Sequence, residues 1–209
     1  MKKKFLTLFT ILSFITMFGQ EFEGKITYSN SFKSKNPEMT DQQLQSVMGS
    51  TQEFIIKDGD YKSSLNGMYL QWQLYINKDN KLYTKMSNSV KAVWNDGNIQ
   101  EDVVIKVEIN KQVIEILGYK CDEIILTFKN GVQKYYYNSK VSANSKLFTN
   151  HKYGNWYDYL SKTNALPLKT VTETDQFTMV SIATEITPMK LDSKLFELPS
   201  GMETEKSPY

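Results

Sequence analysis

Short runs of alternating apolar and polar residues, separated by two-residue turn signals, set the strongest limit on how this chain can fold. In "MYLQWQLYIN" the apolar side chains that share one parity are Leu70, Trp72, Leu74 and Ile76. In "VVIKVEI" the corresponding side chains are Val103, Ile105, Val107 and Ile109. Successive side chains of a β-strand point to opposite faces, so each run predicts a strand with one buried and one wetter face.

Turn dipeptides stand between or beside these runs at hairpin spacing. They are Asp58-Gly59, Asp79-Asn80, Asp96-Gly97 and Asn130-Gly131. The last is the clearest, because Asn and Gly tolerate the positive φ angles that a tight hairpin requires. A series of such hairpins predicts a mainly β domain built as an antiparallel meander.

Two segments predict short helices instead. In "TDQQLQSVMG", Thr40 and Gln43 have the spacing of a capping box and Gly49 can end the helix. In "GNWYDYLSKTNALP", Asn155 can cap a helix that ends near Asn164. Helices of about two turns are marginal alone, so both must dock on the sheet. The side chains available for docking are Leu44, Val47 and Met48 in the first helix, and Trp156, Tyr159, Leu160 and Thr163 in the second.

The N-terminus has the layout of an export signal. Lys2, Lys3 and Lys4 precede an uncharged run from Phe5 to Phe18, which is short for a membrane span. The alternative is an uncleaved membrane anchor, but Thr and Ser interrupt the run and no further apolar stretch follows it. No cysteine is near the expected cut after Gly19, so we expect no lipid anchor and no stable membrane span after cleavage. The chain then divides into a signal peptide (1–19), a single domain (20–201) and a polar tail (202–209), with a periplasmic or secreted location.

Composition argues against nucleic acid as a partner. The 25 basic residues are all lysines, against 23 acidic ones. Without the three lysines of the leader, the net charge falls from +2 to −1. Nucleic-acid binding needs clustered basic residues to neutralise phosphates. The lack of arginine also removes the usual two-pronged ligand for phosphate or carboxylate groups.

Residues for catalysis or metal binding are scarce, so we expect neither an enzyme nor a cofactor. His151 is the only histidine, and no nucleophile motif accompanies it. We expect it at the surface or at a helix end. A zinc site usually needs several His or Cys ligands, and the chain has one of each. A pair of distant carboxylates for glycoside hydrolysis stays open, because such residues need not be close in sequence.

Cys121, in "EILGYKCDEIILTF", can act as a nucleophile, form an intermolecular disulfide or fill space in the core. A single cysteine allows no internal disulfide, and the neighbouring Asp122 and Glu123 disfavour a thiolate. We therefore expect Cys121 to be a buried structural residue, with an intermolecular disulfide as the minor alternative.

Four segments carry a family resemblance: "EGKITY", "EILGYKCDEIILTF", "QKYYYN" and "LFELPSG". Together they resemble a family of exported bacterial domains of unknown function that is related in pattern to the GLPGLI group. That family is similar in fold to the lipoprotein carriers LolA and LolB. The resemblance implies a strongly curved antiparallel sheet, an incomplete barrel, with two or three short helices on its concave side and room for acyl chains.

These observations lead to a functional hypothesis with one rival. We expect a non-enzymatic binding or carrier protein for a lipid, another small hydrophobic ligand or a lipidated partner. The expected lining of the concave face is Leu70, Trp72, Leu74, Ile76, Leu44, Val47, Met48, Trp156 and Leu160, with the first helix as a lid. The rival is a cell-envelope protein-protein interaction module whose core is sealed, because alternation alone demonstrates only burial.

Cleavage of the leader can be tested directly. We predict that protein exported by its host begins at Gln20, because the basic and apolar segments before Gly19 form a leader. Intact-mass measurement of the exported protein gives the first residue. Retention of the apolar run in that protein would contradict the predicted location.

Overall fold

The structure is a computed structural model that describes residues 21–100, 102–129 and 131–208. The predicted leader and Asn130 of the expected hairpin turn lie outside these residues. Within them, twelve strands form one sheet. The strands are β1 (Gly24–Ser34), β2 (Thr51–Lys57), β3 (Asp60–Leu65), β4 (Leu70–Ile76), β5 (Lys81–Met86), β6 (Ala92–Asp96), β7 (Lys106–Ile116), β8 (Tyr119–Phe128), β9 (Gly131–Ser142), β10 (Ala165–Glu173), β11 (Phe177–Pro188) and β12 (Thr204–Lys206).

Two antiparallel meanders meet in the middle of this sheet. The strand order is β12-β6-β5-β4-β3-β2-β1-β11-β10-β9-β8-β7, and β1 joins the meanders by pairing with β2 on one side and β11 on the other. All pairs are antiparallel except β12 with β6. The predicted mainly β architecture is confirmed, and the sheet is open, with β12 and β7 as its outermost described strands.

The turn dipeptides lie between neighbouring strands as predicted, with one exception. Asp58 and Gly59 both have positive φ, 49° and 90°, and connect β2 to β3 as expected. Asp96-Gly97 is not a hairpin turn, because the next strand, β7, lies at the opposite end of the sheet. The Gly97 carbonyl instead accepts hydrogen bonds from the backbone N–H groups of Lys152 and Tyr153, at 2.7 and 3.1 Å. This turn therefore anchors a distant loop.

Both predicted helices are present: α1 (Asp41–Met48) and α2 (Trp156–Thr163). The capping box of α1 is complete, because the Thr40 hydroxyl accepts from the Gln43 N–H and the Gln43 side chain accepts from the Thr40 N–H. The predicted cap of α2 is wrong in mechanism. Asn155 adopts a left-handed conformation, with φ 60°, and its side chain makes no capping bond. Short 3₁₀ turns span Ser145–Phe148, Tyr153–Asn155 and Ser193–Phe196.

The two faces of the sheet carry separate apolar clusters. We call the face that carries Ile26, Phe54 and Tyr75 the inner face; it holds the main core and supports α2. The outer face carries a smaller cluster around Leu74 and Phe196, where the last 3₁₀ turn packs on β3 and β4. The first half of the sheet is therefore covered on both faces.

A chain of aromatic rings crosses the inner face through α2. The Trp156 ring lies 5.9 Å from that of Tyr61 on β3 and 5.7 Å from that of Tyr159, which stacks at 4.2 Å on Tyr135 of β9. Five inter-strand spacings separate β3 from β9 in the sheet order, about 24 Å if the sheet were flat. Three ring contacts bridge that separation, so the sheet curves around α2.

The chain departs from the sequence prediction at both ends of the sheet. The apolar face of "VVIKVEI" is exposed. Val103 and Ile105, at 71% and 69%, precede β7, whereas Val107 and Ile109, at 41% and 45%, belong to β7, which has no neighbour beyond it among the described residues. The region expected to be a polar tail contains β12, which pairs with β6 through backbone hydrogen bonds that do not require apolar side chains.

Cys121 lies on β8, buried in the main core, and burial is the first cause of the raised pKa of its thiol. We predict that Cys121→Ala folds and loses about 1 kcal/mol of unfolding free energy, since a small buried side chain is removed. Urea denaturation measures this loss. We also predict negligible labelling of the native thiol by a maleimide reagent, and rapid labelling would contradict the buried position.

Candidate functional site

A half-open cleft of about 200 Å³ lies on the inner face, where β1–β4, β10 and β11 meet α2. Its walls combine aromatic rings with small polar groups. The lining residues are Tyr28, Gln52, Phe54, Tyr61, Ser63, Gln73, Trp156, Pro167, Thr170, Met179 and Ser181. None of these carries a carboxylate or an ammonium group, so the cleft has a neutral wall.

Strand register produces the mixed lining. Phe54 of β2 stands opposite Ser63 of β3, and Ser63 stands opposite Gln73 of β4. Tyr28 of β1 stands opposite Gln52 of β2 in the same way. Directly opposed residues share a face of the sheet, so apolar and polar side chains alternate around the cleft.

Polar atoms in the wall differ in how well they are satisfied. The Gln52 side-chain amide donates to the Ser63 hydroxyl at 2.9 Å, and the Tyr28 hydroxyl donates to the Pro167 carbonyl at 2.7 Å. The Trp156 indole N–H is buried and has no hydrogen-bond partner within the described ranges. An unsatisfied buried donor costs roughly 1–3 kcal/mol, so an acceptor placed there by a ligand is favoured.

His151 supports the cleft from behind. Its Nε2 lies 2.7 Å from the Tyr61 hydroxyl, and its ring stacks on that of Tyr75 with the centroids 3.9 Å apart. The expected surface position is wrong, because these contacts leave His151 only 1% exposed. Burial lowers the pKa of His151 to about 3 and raises that of the Tyr61 phenol, so both are neutral near pH 7. The pair fixes the Tyr61 ring in the wall.

The residues expected to line one concave face are divided among the inner face, the outer face and helix α1. Trp156 lines the cleft, and Leu160 is fully buried in the core on the same face. Of the β4 residues, Trp72, Leu74 and Ile76 belong to the outer cluster, and Leu70 shares their parity. The cleft side of β4 carries Gln73 and Tyr75 instead. The common concave face is therefore wrong for β4, because Leu74 and Tyr75 are both buried and alternation does not show which side faces α2.

The remaining predicted residues lie on α1, which packs against β1 beside the cleft. Leu44 is buried, whereas Val47 and Met48 are half-buried, and none of the three lines the cleft. Both ends of α1 are held: the Asp41 carboxylate accepts from the Ser34 N–H at 2.8 Å, and the Ser46 carbonyl accepts from the Met68 N–H at 2.8 Å. These contacts do not support the hypothesis that α1 is a mobile lid, because the helix does not line the cleft and both of its ends are held by hydrogen bonds.

Sequence reasoning missed most of the cleft. Gln52, Ser63, Gln73 and Ser181 are polar residues within strands, and their inward direction follows from register alone. The available signal was the polar parity of "MYLQWQLYIN", which places Gln73 and Tyr75 on one side. Within the described residues, no group of three His, Cys, Asp or Glu side chains comes together as a metal site. No described helix has the length and apolar character needed to cross a bilayer.

Comparison with known proteins supports the fold only. No family model and no curated protein sequence matches the chain, so the expected GLPGLI-related family gains no support. The structure of PNGF-II aligns with 89% of this chain at 16% identity and a TM-score of 0.50, and the chain spans 32% of its length. LprF from Mycobacterium bovis aligns with 80% of this chain and 89% of its own at 8% identity and a TM-score of 0.33. The expected likeness to LolA is not confirmed.

The buried histidine predicts a specific pH dependence. Because its folded pKa of about 3 lies below the value of 6.5 for an unperturbed histidine, the unfolded chain binds more protons between these pH values. We predict that His151 causes little pH dependence of stability above pH 6.5. Below it the free energy of unfolding falls, by about 2 kcal/mol between pH 7 and pH 5. Urea denaturation of wild-type and His151→Gln proteins measures it; the same pH dependence in both would contradict the prediction.

Proposed function

We propose that this chain is an exported, non-enzymatic binding protein that takes a neutral amphiphilic ligand into the inner-face cleft. One observation carries the proposal: the wall combines aromatic rings with uncharged polar groups, and the indole N–H of its Trp156 is buried without a partner in the described residues. Ligand sites in proteins combine mostly apolar walls with a few placed polar groups. The cleft shares this combination but is more polar, because five of its eleven lining residues are uncharged polar ones.

The size of the cleft limits how much of a ligand can enter it. About 200 Å³ is smaller than the 300–1,000 Å³ of a typical small-molecule site. The cleft therefore accommodates one end of an amphiphile, and the rest of the molecule extends through the open side.

The binding mechanism is burial with one directed hydrogen bond. The rings of Tyr61 and Trp156 and the Met179 side chain provide apolar contact, worth roughly 25 cal/mol for each Å² removed from water. The Trp156 N–H has almost no accessible area, so the side chains over it must shift before a carbonyl, ether or hydroxyl oxygen of the ligand accepts from it. A charged headgroup finds no lysine or acidic side chain in the wall, so it is disfavoured by the cost of burying an unpaired charge.

The test is a fluorescence titration with two probes of matched chain length. One is a fluorescent monoacylglycerol analogue, which is neutral, and the other is a fluorescent fatty-acid analogue, which is anionic. We predict saturable binding of the neutral probe that is about tenfold or more tighter than that of the anionic probe. No saturable binding of either probe would favour the interaction module with a sealed core.

Tryptophan substitution locates the binding site. We predict that Trp156→Phe weakens binding of the neutral probe about tenfold, because the N–H donor is lost together with one ring of the indole. The matched control is Trp72→Phe, since Trp72 packs in the outer-face cluster away from the cleft. Equal weakening by both substitutions would contradict binding in the cleft.

A further inference from the structure

An exposed apolar stripe follows β7, at the opposite end of the sheet from β12. Ile105 is 69% exposed, Val107 41% and Ile109 45%. Val107 and Ile109 stand opposite Leu126 and Ile124 of β8, both of which are fully buried. The stripe therefore continues the main core to the edge of the sheet, where alternate backbone N–H and C=O groups also point outward.

A bulge limits the free edge to a short segment. After Asn110 the register with β8 jumps to Ile114, and Gln112 between them has φ 54°. The Asp122 carboxylate holds this bulge by accepting from the Gln112 N–H at 3.0 Å and from the Lys111 ammonium at 2.7 Å. Bulges bend a strand and interrupt its pairing. The regular edge that can accept another strand thus runs from residue 105 to residue 110.

The charges on this segment are self-complementary. Lys106 and Glu108 lie on the other face of β7, with the Lys106 Nζ 2.9 Å from a Glu108 carboxylate oxygen. In an antiparallel pair of identical strands centred on Val107, Lys106 stands opposite Glu108 of the second copy. The same register places Ile105 opposite Ile109 of the second copy, so both faces match.

Neighbouring registers are worse. In a continuous sheet, directly opposed residues of the two β7 strands must lie on the same face. The two-fold axis between the strands therefore passes through a residue, and an alternative register moves this axis from one residue to the next. Centring on Lys106 or on Glu108 places that residue opposite its own copy, and like charges directly opposed are destabilising.

We propose that two copies of this chain associate by antiparallel pairing of their β7 strands with Val107 at the centre. The proposal does not depend on the function of the cleft.

Charge exchange tests the register. Glu108→Lys gives four lysines in the paired segment of a dimer, and Lys106→Glu gives four glutamates. We predict that each variant dimerises at least about tenfold more weakly than wild type, measured by sedimentation equilibrium. A one-to-one mixture of the two variants restores the dimer, because every lysine then faces a glutamate of the other copy. The double variant Lys106→Glu/Glu108→Lys also restores it.

A matched control uses the same strand beyond the bulge. Glu115→Lys makes the same change of charge at an exposed β7 residue outside the paired segment, and we predict no effect on association. Circular dichroism verifies that all variants are folded, and the mixing experiment retains its meaning if one variant is less stable. A wild-type protein that stays monomeric up to its solubility limit overturns the proposal. A dimer that Glu108→Lys leaves unchanged, or that the mixture does not restore, overturns the register.

Discussion

Packing of the aromatic rings of α2 against both halves of the sheet is the interaction on which the rest of this structure depends. Trp156 contacts Tyr61 of one meander, and Tyr159 contacts Tyr135 of the other. Such ring pairs contribute about 0.5–1.5 kcal/mol each beyond the area they bury. In the part of the chain that the structure describes, the open sheet of twelve strands has no closing pair of strands to fix its curvature, so a two-turn helix performs that role.

The cleft follows from this arrangement. Curvature brings the polar stripe of β2, β3 and β4 towards α2, and the His151 ring behind Tyr61 keeps the wall in place without a charge. A flat sheet with the same sequence would expose Gln52, Ser63 and Gln73 to water. Burial also keeps the His151 ring behind this wall uncharged as pH falls, since it lowers the pKa of His151 to about 3.

Local sequence patterns predicted the helices and strands well, but they did not predict which face of each strand is covered by other parts of the chain. The Thr40–Gln43 capping box, the α2 bounds and the β4 run are short-range features, so sequence contains them completely. The side of β4 that faces the cleft depends on where the chain after residue 188 packs, because Phe196 covers Leu74 on the outer face. The exposure of Val107 depends likewise on β7 having no further neighbour among the described residues, which no local pattern encodes.

The central position of β1 also determines the order in which the fold can be completed. β1 meets β2 after the connection that contains α1, but its other neighbour, β11, begins more than 140 residues after β1 ends. Until β11 arrives, the long edge of β1 from Gly24 to Ser34 has no partner, and the two meanders are unconnected. Contacts of such separation slow folding, and an unpaired edge invites aggregation. During synthesis, the chain is therefore most exposed to aggregation through the unpaired edge of β1 before its C-terminal third has been added.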